Sequence, residues 1–209
     1  MSAVQATGPI RAGVIGLGAG VLSSYGREGD YFRIYEINPL VERIAQTLFT
    51  FFQHSQADKA ILLGDARLTL ERQLSESGRQ NYDILAVDAF SSDAIPVHLL
   101  TREAFQLYSE HLKPDGVLAV HISNRFLDLK PVVAQGMEDI GRYGRVVDSD
   151  GREQPYHSAS NWAILSSKEK FFDTKFFEGD GNTTIQPLLT KPRFQGWTDD
   201  FSNIITIIK

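Results

Sequence analysis

The stretch Ala12-Gly13-Val14-Ile15-Gly16-Leu17-Gly18-Ala19-Gly20 decides how the rest of the chain is read. A short apolar run, suited to a buried strand, empties into glycines. Glycine lets the backbone approach a ligand closely and take positive φ. Alone, such a loop is a weak signal, since a glycine-rich strand-to-helix turn can be purely structural, so its meaning depends on context. The context is Tyr31-Phe32-Arg33-Ile34-Tyr35-Glu36, a second strand-like run. It ends in an acid roughly 20 residues past the loop, where a carboxylate accepts hydrogen bonds from ribose hydroxyls.

The same alternation continues outward. Asn38-Pro39 is a helix start, with Asn at the N-cap and Pro in the first turn. Leu40, Ile44, Leu48 and Phe52 at i, i+4 spacing predict that this helix runs through all four. Ala60-Ile61-Leu62-Leu63 reads as a third strand ending at Gly64-Asp65, with a helix over 66–77. Tyr82 to Asp88 is a fourth strand. Thr101 caps the next helix, with Leu100 and Phe105 placed as a hydrophobic staple. Pro114-Asp115-Gly116 reads as a turn, and Val117 to Ile122 as a fifth strand. A helix is expected over 129–143, and strands at Arg145-Val146-Val147 and Trp162-Ala163-Ile164-Leu165. The tail 173–200 has little periodicity and yields no element. The strands are continuous apolar runs rather than alternations, which predicts an α/β fold covered on both faces. The expected architecture is a doubly wound, mostly parallel, seven-stranded Rossmann-like sheet in a single domain over 1–209.

Composition narrows the function classes. At 209 residues, with 42% hydrophobic and 22% charged, the chain is ordinary globular material for one α/β domain. Formal charge is −5 and there is no long basic run, so phosphate neutralisation on nucleic acid is not the expected activity. An acidic balance suits a cationic small substrate. There is no cysteine, which removes disulfides, thiolate nucleophiles and cysteine metal sites together. This fits a reducing, cytoplasmic location, and no metal is expected. No apolar stretch approaches the ~18 residues of a membrane span. Met1-Ser2-Ala3-Val4-Gln5 has neither the basic nor the apolar region of a signal peptide. As given, the chain reads as soluble, with no membrane contact of its own.

Parallel sheets bind ligands at the carboxyl ends of their strands, so the residues there carry the functional reading. Besides Glu36, Asp65 ends the third strand. It is placed to accept from an adenine amino group while the Ala66 amide meets a ring nitrogen, and a helix N-cap role is compatible with this. Asp88 ends the fourth strand, followed by Ser91, Ser92 and Asp93. An acid there faces the reactive end of a ligand lying across the sheet and suits a general base. The plainer reading of each is a turn former or cap. The loop is Gly-x-Gly-x-Gly with Val21 where a dinucleotide pattern has its third glycine, which lowers the NAD reading. Acids at successive strand ends favour a nucleoside with a cationic sulfonium over a pyrophosphate, which wants positive charge and free amides. No dehydrogenase-type acid–base pair stands out among His54, His98, His111, His121 and His157.

Together these residues resemble the spermidine synthase (polyamine aminopropyltransferase) family, of the class I S-adenosylmethionine-dependent methyltransferase-like fold, over roughly Ile10 to Leu165. Gly16, Gly18 and Gly20 match its first motif, with Ala19 where the family usually has Asp. Glu36 matches the ribose-binding acid, Asp65-Ala66 the adenine side, and Asp88 the catalytic base. Gln154-Pro155-Tyr156-His157-Ser158-Ala159 is similar to a region whose Tyr, here Tyr156, lines the amine pocket. The family spaces its acids as Asp-x-x-Asp; here the third position is Ser91 and the next acid is Asp93. These two are the expected acceptor-side residues. Asp88 to Pro96 looks most like family members fused behind membrane segments, so a longer parent protein with such segments is one expectation. The family's N-terminal β-domain is not expected within these residues.

The resemblance implies an aminopropyl transfer from decarboxylated S-adenosylmethionine to a small-molecule amine, releasing 5′-methylthioadenosine. The alternatives are a methyltransferase using S-adenosylmethionine itself, or a nucleotide-binding domain without catalysis. Phe171, Phe172, Phe176 and Phe177 either pack a C-terminal segment or form a homodimer contact.

Overall fold

The computed structural model describes residues 8–89, 96–151 and 159–209. The chain runs β1 (Arg11–Ile15), β2 (Tyr31–Glu36), α1 (Pro39–Thr47), α2 (Phe51–His54), β3 (Asp58–Leu63), α3 (Ala66–Glu76) and β4 (Tyr82–Val87). It continues through α4 (Arg102–His111), β5 (Leu112–His121), α5 (Lys130–Asp139), β6 (Tyr143–Ser149), β7 (Ser160–Ser166) and β8 (Thr183–Pro187). One sheet has the order β3-β2-β1-β4-β5-β7-β6-β8. The first five strands are parallel. β7 is antiparallel to both β5 and β6, and β8 is antiparallel to β6.

The sheet has eight strands rather than the expected seven. The extra strand, β8, lies in the tail that showed no periodicity. Its residues Thr183-Thr184-Ile185-Gln186-Pro187 are half-buried or exposed, so an edge strand left no apolar run to read.

Helices cover both faces. Ala12, Val14, Phe32 and Ile34 form one core layer with Ala45 of α1. Ile15, Tyr35, Leu85 and Leu118 form the other with Leu70, Phe105 and Val132 of α3, α4 and α5. The two layers draw on alternate residues of β1 and β2, as a strand buried on both faces requires.

Three local expectations change. Asn38 Oδ1 accepts from the Leu40 amide at 2.9 Å and starts α1 as read. The helix then stops at Thr47, and Phe52 sits in the separate α2. Ala45 is fully buried while Leu40, Ile44 and Leu48 are 61%, 43% and 75% exposed, so the apolar row faces outward. The helix is turned by one position because the small Ala45 allows close approach to the sheet. Second, Pro114-Asp115-Gly116 lies inside β5. Pairing jumps from Tyr82↔Leu112 to Ile84↔Val117, so the turn signal marks a bulge in a continuing strand. Third, α5 ends at Asp139 and Tyr143 opens β6, with Gly141 at φ +63° making the exit.

Other local signals hold. Thr101 Oγ1 accepts from the Ala104 amide, and Leu100 and Phe105 are buried in one cluster. The four phenylalanines pack on one another: Phe172 and Phe177 are buried, with ring centroids 5.0 Å apart, and the Arg145 guanidinium lies over Phe172. The C-terminal segment returns to the α3–α4 junction. There the Arg67 guanidinium grips the Asp199 carboxylate through Nη1 at 2.6 Å and Nη2 at 2.5 Å, and Thr101 Oγ1 donates to the same group. The Arg67 hydrogen bonds pull the Asp199 carboxyl down to about 2.

His111 is wholly buried at the end of α4. Its Nδ1 accepts from the Gln80 amide at 3.1 Å, and Nε2 donates to the Leu70 carbonyl at 3.0 Å. Both contacts describe a neutral ring, and burial pushes its pKa below the ordinary value. The unfolded chain therefore takes up a proton here before the folded chain does. Stability is expected to fall as pH drops below about 6.5, by up to about 1.4 kcal/mol per pH unit for one proton. His111→Gln should be less stable near neutral pH but show a shallower acid slope. Urea midpoints across pH measure both.

Gly136 of α5 lies against Phe105 of α4, where an added Cβ would sit 2.4 Å from the ring. Phe105 is fully buried and has nowhere to move. Gly136→Ala is expected to cost about 1–3 kcal/mol through overpacking, outweighing its better helix propensity. Denaturant unfolding checks this.

Candidate active site

A cavity of about 430 Å³ opens at the carboxyl ends of β1, β2, β3 and β4. Gly16, Gly18, Glu36, Asp65, Ala66 and Asp88 all line it. Its volume falls in the range of small-molecule sites.

Gly16 makes the junction between β1 and β4. It takes φ +97°, donates to the Tyr35 carbonyl at 2.8 Å, and sits so near β4 that a Cβ would lie 2.3 Å from the Asp88 carbonyl oxygen. Gly18 is at φ +52°. Gly20 does not line the cavity. Its φ of +82° and its bond to the Leu17 carbonyl close the loop, which leads into a short 3-10 turn at Val21–Tyr25.

Glu36 is 8% exposed and does two structural tasks. Oε2 accepts from the Leu17 amide at 2.9 Å, holding the glycine loop. Oε1 accepts from the Asn38 amide at 2.8 Å, holding the start of α1. Each oxygen keeps a lone pair for a further donor. The helix-start role therefore does not exhaust the carboxylate, which also lines the cavity.

Asp65 is likewise shared. Oδ1 caps α3 by accepting from the Leu68 amide at 2.9 Å, and Oδ2 lies 3.0 Å from His98 Nε2. His98 and Pro96 also line the cavity, at its α4 side. Sequence reasoning left His98 aside as a lone histidine. Only the fold brings it to Asp65, 33 residues away.

Asp88 leads into a hydrogen-bonded chain. Oδ1 is 2.7 Å from His121 Nδ1, and His121 Nε2 is 2.7 Å from Ser123 Oγ. Ser123 Oγ accepts from the Asn161 amide at 2.7 Å. That amide's donation leaves the Ser123 O–H free to donate to Nε2, in which tautomer Nδ1–H donates to Asp88. Trp162 stacks on the imidazole with centroids 4.8 Å apart and planes within 14°. His121 and Ser123 are not among the residues lining the cavity, so the chain supports Asp88 from behind. His121 ends β5, one strand beyond the last strand end weighed from sequence. The same reasoning, carried one strand further, would have found it.

Ser91, Asp93 and Tyr156, the expected acceptor-side residues, lie outside the described residues. Among the described lining residues, three carboxylates face the cavity and no Lys or Arg does. The field there favours a cation. No group of three or more His, Asp or Glu arranged for a metal occurs among the described residues, and no helix among them is long and apolar enough to cross a membrane.

No family model matches the chain. A polyamine aminopropyltransferase of Vibrio vulnificus is 36% identical over 116 residues, which is 54% of this chain and 38% of that protein. The chain thus matches well under half the length of this curated relative. A probable spermidine synthase from Corynebacterium glutamicum superposes with TM-score 0.67 at 18% identity, over 90% of this chain and 70% of that one. A spermidine synthase solved with the transition-state analogue AdoDATO gives TM-score 0.61 at 16% identity, over 80% and 58%. Human methyltransferase-like protein 13, solved with SAH, gives 0.58 at 20% identity, over 78% and 73%. The chain is therefore similar in sequence to a polyamine aminopropyltransferase and has the class I methyltransferase-like fold that spermidine synthases share.

Proposed function

We propose that this chain binds an S-adenosyl donor in the cavity and transfers an aminopropyl group from decarboxylated S-adenosylmethionine to a small amine. The observation that carries the reading is the cavity lining: Glu36, Asp65 and Asp88 face it, and no Lys or Arg does among the described residues. A sulfonium nucleoside with a free amino group is favoured there. The carboxylated donor is less suited, because the Gly16, Leu17 and Gly20 amides of the loop are already bonded to Tyr35, Glu36 and Leu17. The transition-state analogue AdoDATO bound by the similar spermidine synthase supports the same donor class.

In this reading Glu36 holds the ribose, while Asp65 and Ala66 meet the adenine. Asp88 takes a proton from the acceptor ammonium. The freed nitrogen lone pair attacks the aminopropyl carbon next to sulfur. The carbon–sulfur bond breaks, sulfur keeps the electron pair, and 5′-methylthioadenosine leaves. Positive charge moves from sulfur to nitrogen during the step. Asp88, neutral after taking the proton, releases it to solvent once the product has left. The His121 contact fixes the orientation of Asp88, and Trp162 holds the ring. Ser91, Asp93 and Tyr156 are proposed on the acceptor side from the family resemblance.

Two measurements test this. Calorimetry with S-adenosylmethionine and its decarboxylated form should show clear preference for the latter. Preference for the carboxylated form would favour a methyltransferase instead. Asp88→Asn should lower aminopropyl transfer to putrescine by about 10²- to 10⁴-fold with donor binding retained, the range for loss of a general base. His121→Gln should lower kcat by less, with KM for the donor unchanged. Unchanged transfer in Asp88→Asn would remove the assignment.

A further inference from the structure

At the other end of the sheet, near the amino ends of β1, β2 and β4, lies a hollow of about 500 Å³ lined by Arg11, Arg33, Arg79, Lys113, Gln80 and Asn81 among others. Its lining contains four cations and no carboxylate. Two of the cations are neutralised from outside it: Arg79 pairs with Glu110 at 2.7 Å, and Lys113 with Asp83 at 2.7 Å.

Arg11 and Arg33 are different. Both guanidiniums converge on a single neutral oxygen, Gln80 Oε1. Both also lie over the Tyr31 ring, at 4.6 Å and 5.6 Å from its centroid. Among the described residues neither has a carboxylate within ion-pair distance, and the buried Arg11 Nε has no hydrogen-bond partner. Gln80 is itself fixed, 7% exposed, with its amide bonded to His111 and its side-chain nitrogen to the Gly78 carbonyl.

Two like charges without an ion-pair partner among the described residues, held side by side and half-buried, repel one another; Asp83, which accepts from the Arg11 backbone amide at 2.8 Å, is engaged by Lys113. The C-terminal carbonyls of α3 attract cations and account for Arg79, which follows that helix. They do not account for Arg11 and Arg33, which come from β1 and β2. The chain as a whole carries −5, so a general excess of positive charge is not the cause. A planar guanidinium pair with unused N–H donors matches the oxygens of a phosphoryl group. The rim adds neutral side chains in Ser77 and Asn81. We propose that this hollow binds a small multivalent oxyanion of the phosphate class, at a site separate from the donor cavity. β1 runs from one to the other, with Arg11 at its start and Gly16 just past its end.

The test is calorimetric titration of the full chain with inorganic tripolyphosphate, with ionic strength held constant by potassium chloride. Saturable binding is expected. The double variant Arg11→Gln/Arg33→Gln should weaken it by about tenfold or more, as loss of charge-assisted hydrogen bonds does. Arg79→Gln/Lys113→Gln, on the outer wall, provides the second variant should the first not fold, and should also weaken binding. A parallel titration with ATP separates the sources: tighter binding of ATP marks a nucleotide, and equal or weaker binding marks inorganic phosphates. Absence of saturable tripolyphosphate binding, or equal affinity in folded variants, overturns the proposal. Donor binding measured on the same samples is independent of this outcome.

Discussion

The site depends on how near the ends of β1 and β4 come to one another. That nearness exists because position 16 has no side chain, with the Asp88 carbonyl occupying the space a Cβ would need. Two neighbouring strand ends thereby become one wall. The loop leaving β1 is then held from the other side by Glu36, which binds the Leu17 amide and the Asn38 amide together. A single carboxylate thus ties the loop, the end of β2 and the start of α1. The acid proposed to hold the ribose is also the acid that holds the glycine loop and the start of α1, so a change there alters the cavity wall as well as its charge.

A similar doubling runs through the site. Asp65 caps α3 and meets His98. Asp88 continues the backbone pairing of β4 with β1 through its amide and meets His121 through its side chain. In each case contacts within the protein orient the carboxylate before any ligand arrives. Such preorganisation lets a site act on charge without rearranging its own dipoles.

Much of this was legible in the sequence, for identifiable reasons. Buried parallel strands leave continuous apolar runs, and strand ends in such sheets are where acids acquire meaning. Gly16, Glu36, Asp65 and Asp88 were found by that logic. His98 and His121 were not: their partners are distant in sequence and an isolated histidine has no pattern. The outward-facing Leu40–Ile44–Leu48 row misled because spacing reports a stripe but not which way it points. The buried Ala45, which sets the direction, has too little apolar surface to announce itself. β8 was missed for the opposite reason, since an edge strand needs no apolar face.

That last strand has a consequence for association. An exposed sheet edge offers unpaired amides and carbonyls to any extended chain that meets it. β8 covers β6 on that side, and does so with threonines, a glutamine and a terminal proline that has no N–H to give. The outermost row is short, polar and one donor poorer than a regular strand. It is a poor template for further strand growth, so the sheet ends there by chemistry and not merely by running out of chain.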